Sequence, residues 1–262
     1  MKTNRSQPVI RSKPTCRDGF TLLDLLVVLG VIAVLILVEL PVLAGTKSQT
    51  KIGVCASHVR QIVLACQIYA NENNNRLPII NSGTVWPWDL PAGAANALLR
   101  SGVTTNAFYC PGTSPRFTDQ DNWIAPGSSS LWNFGAPNFH VVGYALALSG
   151  PNATVTATNQ NSTMLPETIK SGPIFLPAPA ASDRVLLADA TLSGYATLPG
   201  YVHPENNYTT VLGGFSKPHT SPHLKGNIPL GGNVGFKDGH VAWRKFELMV
   251  PRNNLVDPSF WW

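Results

Sequence analysis

Much can be read from what this chain of 262 residues has little of. Only 13% of it is charged, and acidic residues number 14. No Gly-x-Ser-x-Gly elbow occurs, so the commonest setting for a serine nucleophile is not encoded. The glycine pairs Gly213-Gly214 and Gly231-Gly232 lack the Lys-Ser/Thr of a phosphate-cradling loop. No cofactor is implied. The formal charge is +5, but Lys2, Arg5, Arg11, Lys13 and Arg17 against Asp18 place +4 of it in the first 19 residues. The rest of the chain, at +1, offers no basic face to neutralise phosphates, which excludes a nucleic-acid partner.

What is present is a long apolar run. From Phe20 to Leu40 the chain is predominantly apolar, interrupted by the acids Asp24 and Glu39. About 20 such residues suffice for a helix to cross a bilayer. The basic segment before it predicts residues 1–19 in the cytoplasm and everything beyond the helix outside, with residues 20–40 as a single pass through a membrane. A carboxylate inside such a segment costs roughly 2.5–3.5 kcal/mol, so Asp24 calls for a cationic partner.

A basic leader, Gly19 before Phe20, and Asp24 on the fifth residue after that glycine resemble the N-terminus of type IV pilins and type II secretion pseudopilins. The resemblance implies that a prepilin peptidase cuts between Gly19 and Phe20 and that the new Phe20 amine is methylated. It implies that Asp24, standing where the family has Glu, neutralises that amine on a neighbouring subunit as helices pack into a fibre. Pro41, residue 22 after the cut, also fits the pattern. The function implied is a structural, non-enzymatic subunit of a pilus or pseudopilus. It would be delivered to the periplasm or cell surface, with other such subunits and the inner membrane as its partners. The alternative is a membrane-anchored periplasmic hydrolase or carbohydrate-binding protein.

Beyond Pro41, where a kink or local melting is expected, Ile52, Cys55, Val59, Ile62, Cys66 and Tyr69 recur at spacings of three and four. That is the stripe of an amphipathic helix lying on a core. The helix should stop within Asn71–Pro78. A short helix is expected at Ala92–Ser101, strands at 141–148 and 184–189, a loop at Pro151–Thr163, and a hairpin of 233–236 and 240–246 turning at Lys237-Asp238-Gly239. The fold class expected is α+β: a long N-terminal helix, transmembrane in its first half and amphipathic in its second, packed on a small antiparallel sheet. The divisions are 1–19 leader, 20–76 helix and 77–262 globular domain.

Cys16 lies in the leader. Cys55 and Cys66, eleven residues apart on one helix, stand about 16 Å apart, too far for a disulfide, so Cys110 pairs with one of them or all stay free. Cys55 with Val59-Arg60-Gln61-Ile62, then Tyr69-Ala70, Leu77-Pro78 and Cys110-Pro111, looks like a bacterial prepilin-like subgroup. In that comparison Cys66 is an ordinary core position, and the pairing implied is Cys55 with Cys110. The same subgroup ends in a His nine residues before an Asp-Gly. Here Asp238-Gly239 is present but the nearest histidine, His223, is displaced, as an insertion around Lys225–Pro229 would produce. Two metal readings compete with the turn: zinc on His219, His223, His240 and Asp238, and calcium at Asp238. Broken by Pro218 and Pro222, the histidine segment cannot present one helical face, and acids are sparse around Asp238, so no metal is expected. Trp86, Trp88, Trp123 and Trp132 could stack on sugars as a platform, but the commoner role of such tryptophans is to close a small core.

Overall fold

The computed structural model describes residues 19–80, 86–113, 132, 137–151, 153–194, 207–211, 219–253 and 258–262, the side chains of 36–46 excepted. Residues 1–18 of the leader and Trp123 lie outside these residues. Contacts divide the chain into two compact units, Met1–Thr46 and Lys47–Trp262.

In chain order the elements are helix α1 (Leu22–Glu72), strand β1 (Asp89–Pro91), helix α2 (Ala92–Arg100), β2 (Phe139–Val141), β3 (Tyr144–Leu146), β4 (Ile169–Ser171), β5 (Ile174–Leu176), β6 (Val185–Asp189), β7 (Thr191–Ser193), β8 (Leu224–Lys225), β9 (Ile228–Pro229), β10 (Gly231–Phe236), β11 (Val241–Lys245) and β12 (Ser259–Trp261).

In the first unit, α1 begins where Thr21 and Asp24 cap each other. The Thr21 N–H and hydroxyl donate to the Asp24 carboxylate (3.0 and 2.7 Å), and the Asp24 N–H donates to the Thr21 hydroxyl (3.2 Å). This is the reciprocal arrangement of a capping box, here with Asp in the usual Glu position. From Phe20, 84% exposed, to Leu35, 60% exposed, the large apolar side chains of this stretch face outward.

The second unit is built on the later part of α1. Cys55, Val59, Ile62, Val63 and Cys66 are buried in one core with Leu98, Phe108, Val141, Leu186, Leu187 and Val234. Burying each such aliphatic side chain contributes about 1.5–3 kcal/mol. Strands β3, β6, β10 and β11 form an antiparallel sheet in the order β11-β10-β6-β3. The helix lies so close to β10 that a side-chain carbon on Gly235 would stand 2.6 Å from Val63 and 2.8 Å from Val59. Polar contacts fix the register: the Asn233 amide donates to the Ile52 carbonyl (3.2 Å) and the Gln67 amide to the Lys237 carbonyl (3.0 Å).

The helix ends as its sequence predicts. Asn74 and Asn75 take φ of 56° and 62°, and the chain leaves in a turn. Pro41 does not interrupt the helical backbone, contrary to the local melting expected there.

Three expectations are corrected. First, among the described residues no helix is long and apolar enough to cross a membrane. The described apolar run Leu22–Leu35 covers about 21 Å, short of the roughly 30 Å hydrocarbon layer. The transmembrane assignment of 20–40, the single-pass inner-membrane placement and the membrane-fibre description built on them are therefore unsupported. Second, a long helix packed on one small sheet is not what forms. The described strands make one four-stranded and four two-stranded sheets. Third, the strand expected at 141–148 is two. Val142 and Gly143 donate their N–H groups to the Trp88 and Phe108 carbonyls (3.0 and 2.8 Å), so β2 pairs with β1 and β3 with β6.

Candidate functional site

Cys55, Cys110, Asp189 and His223 come from four distant parts of the chain and meet inside the core, none more than 4% exposed. Their ligand-type atoms all lie within 4.8 Å of one another. Each is placed by local structure. Cys55 stands on the buried stripe of α1. Cys110 follows the short 3-10 turn Thr105–Phe108, and its sulfur accepts the Gly112 N–H (3.3 Å). His58 binds the Tyr109 carbonyl through Nδ1 (3.1 Å), tying that turn to the helix. Asp189 closes β6, its Oδ2 accepting the Asn233 N–H of β10 (2.6 Å).

His223 arrives by a detour. The residues after it form the β8–β9 hairpin, and the Leu230 N–H returns to the His223 carbonyl (3.0 Å). Residues 224–229 thus loop out, and the histidine is carried back beside β10. Its backbone takes φ of 54°, a conformation sparsely populated outside glycine. The ring packs on Gly112 so tightly that a side-chain carbon there would stand 2.3 Å from it, and Trp243 meets it edge-on at 5.3 Å.

Within the cluster the Cys55 thiol donates to Asp189 Oδ1 (2.8 Å) and lies 3.4 Å from the Tyr144 hydroxyl. Cys110 Sγ is 3.2 Å, and Asp189 Oδ2 3.4 Å, from His223 Nε2. Burial pushes the Cys55 thiol well up, and also raises Cys110. For His223, burial works against the charged ring, but the Asp189 carboxylate and the nearby Cys55 sulfur prevail and push it up to about 9. A Cys-His-Asp catalytic triad needs the acid and the nucleophile on opposite ring nitrogens. Here both address Nε2, in a site closed to solvent.

Of the residues singled out from sequence, the structure brings Cys55, Cys110 and His223 together. The cysteines implied to form a disulfide are adjacent but are free thiols, as is Cys66. Buried on the same helix but outside the cluster, Cys66 is pushed up to about 12 by burial alone. Asp238 is apart, on the surface, where its carboxylate accepts the His240 N–H (3.1 Å) and meets His240 Nδ1 (2.6 Å). The turn at Lys237-Asp238-Gly239 lies where the sequence places it, with positive φ at Gly239. His219 is buried against Trp88, 4.4 Å between ring centroids. Trp88 itself is fully buried and Trp132 stacks on His140, so these tryptophans close the core. The residue missed in the sequence is Asp189, whose only signal is an acid ending the apolar run Val185–Ala188. Comparison with protein-family models, with curated proteins and with solved structures finds no match for this chain.

Proposed function

We propose that this chain is a prepilin-like subunit that is cut after Gly19 and assembles with other copies through the start of α1. One observation supports the reading above others: a row of large apolar side chains from Phe20 to Leu35 stands exposed on one helix, with a single carboxylate, Asp24, among them. Exposed apolar surface of this kind marks an interaction site, and each leucine buried against a like helix contributes about 1.5–3 kcal/mol. Hydrogen bonds from Thr21 hold the Asp24 carboxyl below its ordinary value, and a carboxylate brought between apolar helices needs a cation beside it. Cleavage after Gly19 supplies one on each copy, the Phe20 amine. The acting residues are Gly19 and Phe20 at the cut and Asp24 at the contact; no catalytic role is assigned.

Because Asp24 also caps its own helix, the deciding variant keeps the cap and removes the charge. Asp24→Asn still offers an oxygen to Thr21, and Asp24→Glu keeps both properties. Sedimentation of assembled protein is expected to fall sharply for Asp24→Asn and to persist for Asp24→Glu. Assembly of the Asn variant at the wild-type level would refute the ion-pair role.

A further inference from the structure

The core of the second unit contains a group of side chains that burial alone does not explain. Two thiols, a carboxylate and an imidazole are each almost wholly removed from water, and burying polar groups without strong partners is costly. All four are metal-ligand types, and each arrives from a different segment: α1, the loop after Phe108, the end of β6 and the loop before β8.

We propose that Cys55, Cys110, Asp189 and His223 form a closed, four-coordinate zinc(II) site that fastens α1 to the sheet and to the Cys110 loop. The inference does not depend on the fibre reading, since it concerns the second unit alone. Two sulfurs, one nitrogen and one oxygen are the donor set that selects tetrahedral zinc. At ordinary zinc–ligand lengths of about 2.0–2.3 Å, tetrahedral ligand atoms stand roughly 3.3–3.8 Å from one another. The observed separations, 2.8 Å for Cys55–Asp189, 3.2 Å for Cys110–His223 and 3.4 Å for His223–Asp189, bracket the short side of that range. All pairs lie within 4.8 Å, so small rotations of the thiols suffice to admit the ion.

Zinc would displace the two thiol protons and the proton on His223 Nε2, so that two thiolates and a carboxylate face a dication and the imidazole binds neutral through Nε2. The surrounding contacts are those a ligating set needs. Asp189 is held by the Asn233 N–H, Cys110 by the Gly112 N–H, and Cys55 faces the Tyr144 hydroxyl. With four protein ligands and no exposed position, the ion's role is structural.

The test uses the full chain, isolated under reducing conditions and titrated with cobalt(II), then zinc(II). One equivalent of cobalt should give the visible bands of a tetrahedral ion and a near-ultraviolet thiolate-to-metal transition. One equivalent of zinc should abolish both. Cys110→Ser should lose about half of the thiolate transition, as expected when one of two sulfur ligands is removed. Cys66→Ser, outside the cluster, should leave the spectrum unchanged. The wild-type titration stands even where a variant fails to fold. No stoichiometric uptake by the reduced wild type, loss of the bands in Cys66→Ser, or a Cys55–Cys110 disulfide in the native protein would each overturn the proposal.

Discussion

Lys237 shows how single residues tie this fold together. It opens the turn between β10 and β11, its carbonyl accepts the Gln67 amide of α1, and its ammonium reaches Glu167 (2.8 Å) and the Leu165 carbonyl (3.2 Å) with the side chain 3% exposed. The two partners shift in the same direction for different reasons. For Glu167, burial is outweighed by the bonds from Lys237 and Ser162, which lower the carboxyl; for Lys237, burial outweighs the bond and lowers the ammonium. Only the glutamate titrates in acid. A carboxyl lowered in the folded state contributes stability that is fully present above the ordinary glutamate value of 4.5 and is lost as pH falls through the lowered one. Wild type should therefore exceed Glu167→Gln in urea-unfolding free energy at pH 7, and the difference should shrink at pH 3. An equal difference at both would mean that the charge on Glu167 contributes nothing. Asn161 has a comparable linking role without charge, giving its amide to the Ala147 and Val185 carbonyls (2.7 and 2.8 Å) and accepting the Arg184 Nε–H (2.8 Å).

Between elements, the decisive contact is α1 on β10. Gly235 lets the helix approach, because any side chain there would enter the space of Val59 and Val63. Gly235→Val should lower stability by about 1–3 kcal/mol, the usual cost of overpacking a core, and thermal unfolding of the purified chain reads this directly. An unchanged melting temperature would show that helix and sheet can separate freely. This level of structure was only partly legible in the sequence. The stripe at Cys55, Val59, Ile62 and Cys66, the helix end at Asn74-Asn75, α2, β6 and the last hairpin all follow from local periodicity and turn chemistry, and the structure has them there. The break at Val142-Gly143 does not, because its N–H groups are taken by Trp88 and Phe108, partners that only the tertiary fold supplies. The site divides in the same way. Cys55, Cys110 and His223 stood out as residue types in suggestive settings. Their meeting with Asp189 depends on the register of β6 against β10, where Val234 faces Ala188, and on the β8–β9 hairpin returning His223. Neither can be read from spacing along the chain.

For the molecule as a whole, the two units carry different chemistry. The second buries its polar cluster in a continuous core; the first exposes an apolar helix headed by Phe20 and Asp24. A chain with its leader attached carries five extra basic residues ahead of that helix and has no amine at Phe20, so by the proposed function it cannot form the Asp24 contact. On that proposal, processing is the step on which assembly rests. The measurement that bears on it most directly is the N-terminal residue and intact mass of the mature protein from its source cells. The account predicts a chain that begins at Phe20 with one methyl group on its amine. A mature chain that still begins at Met1, or one that begins beyond Pro41, would contradict it.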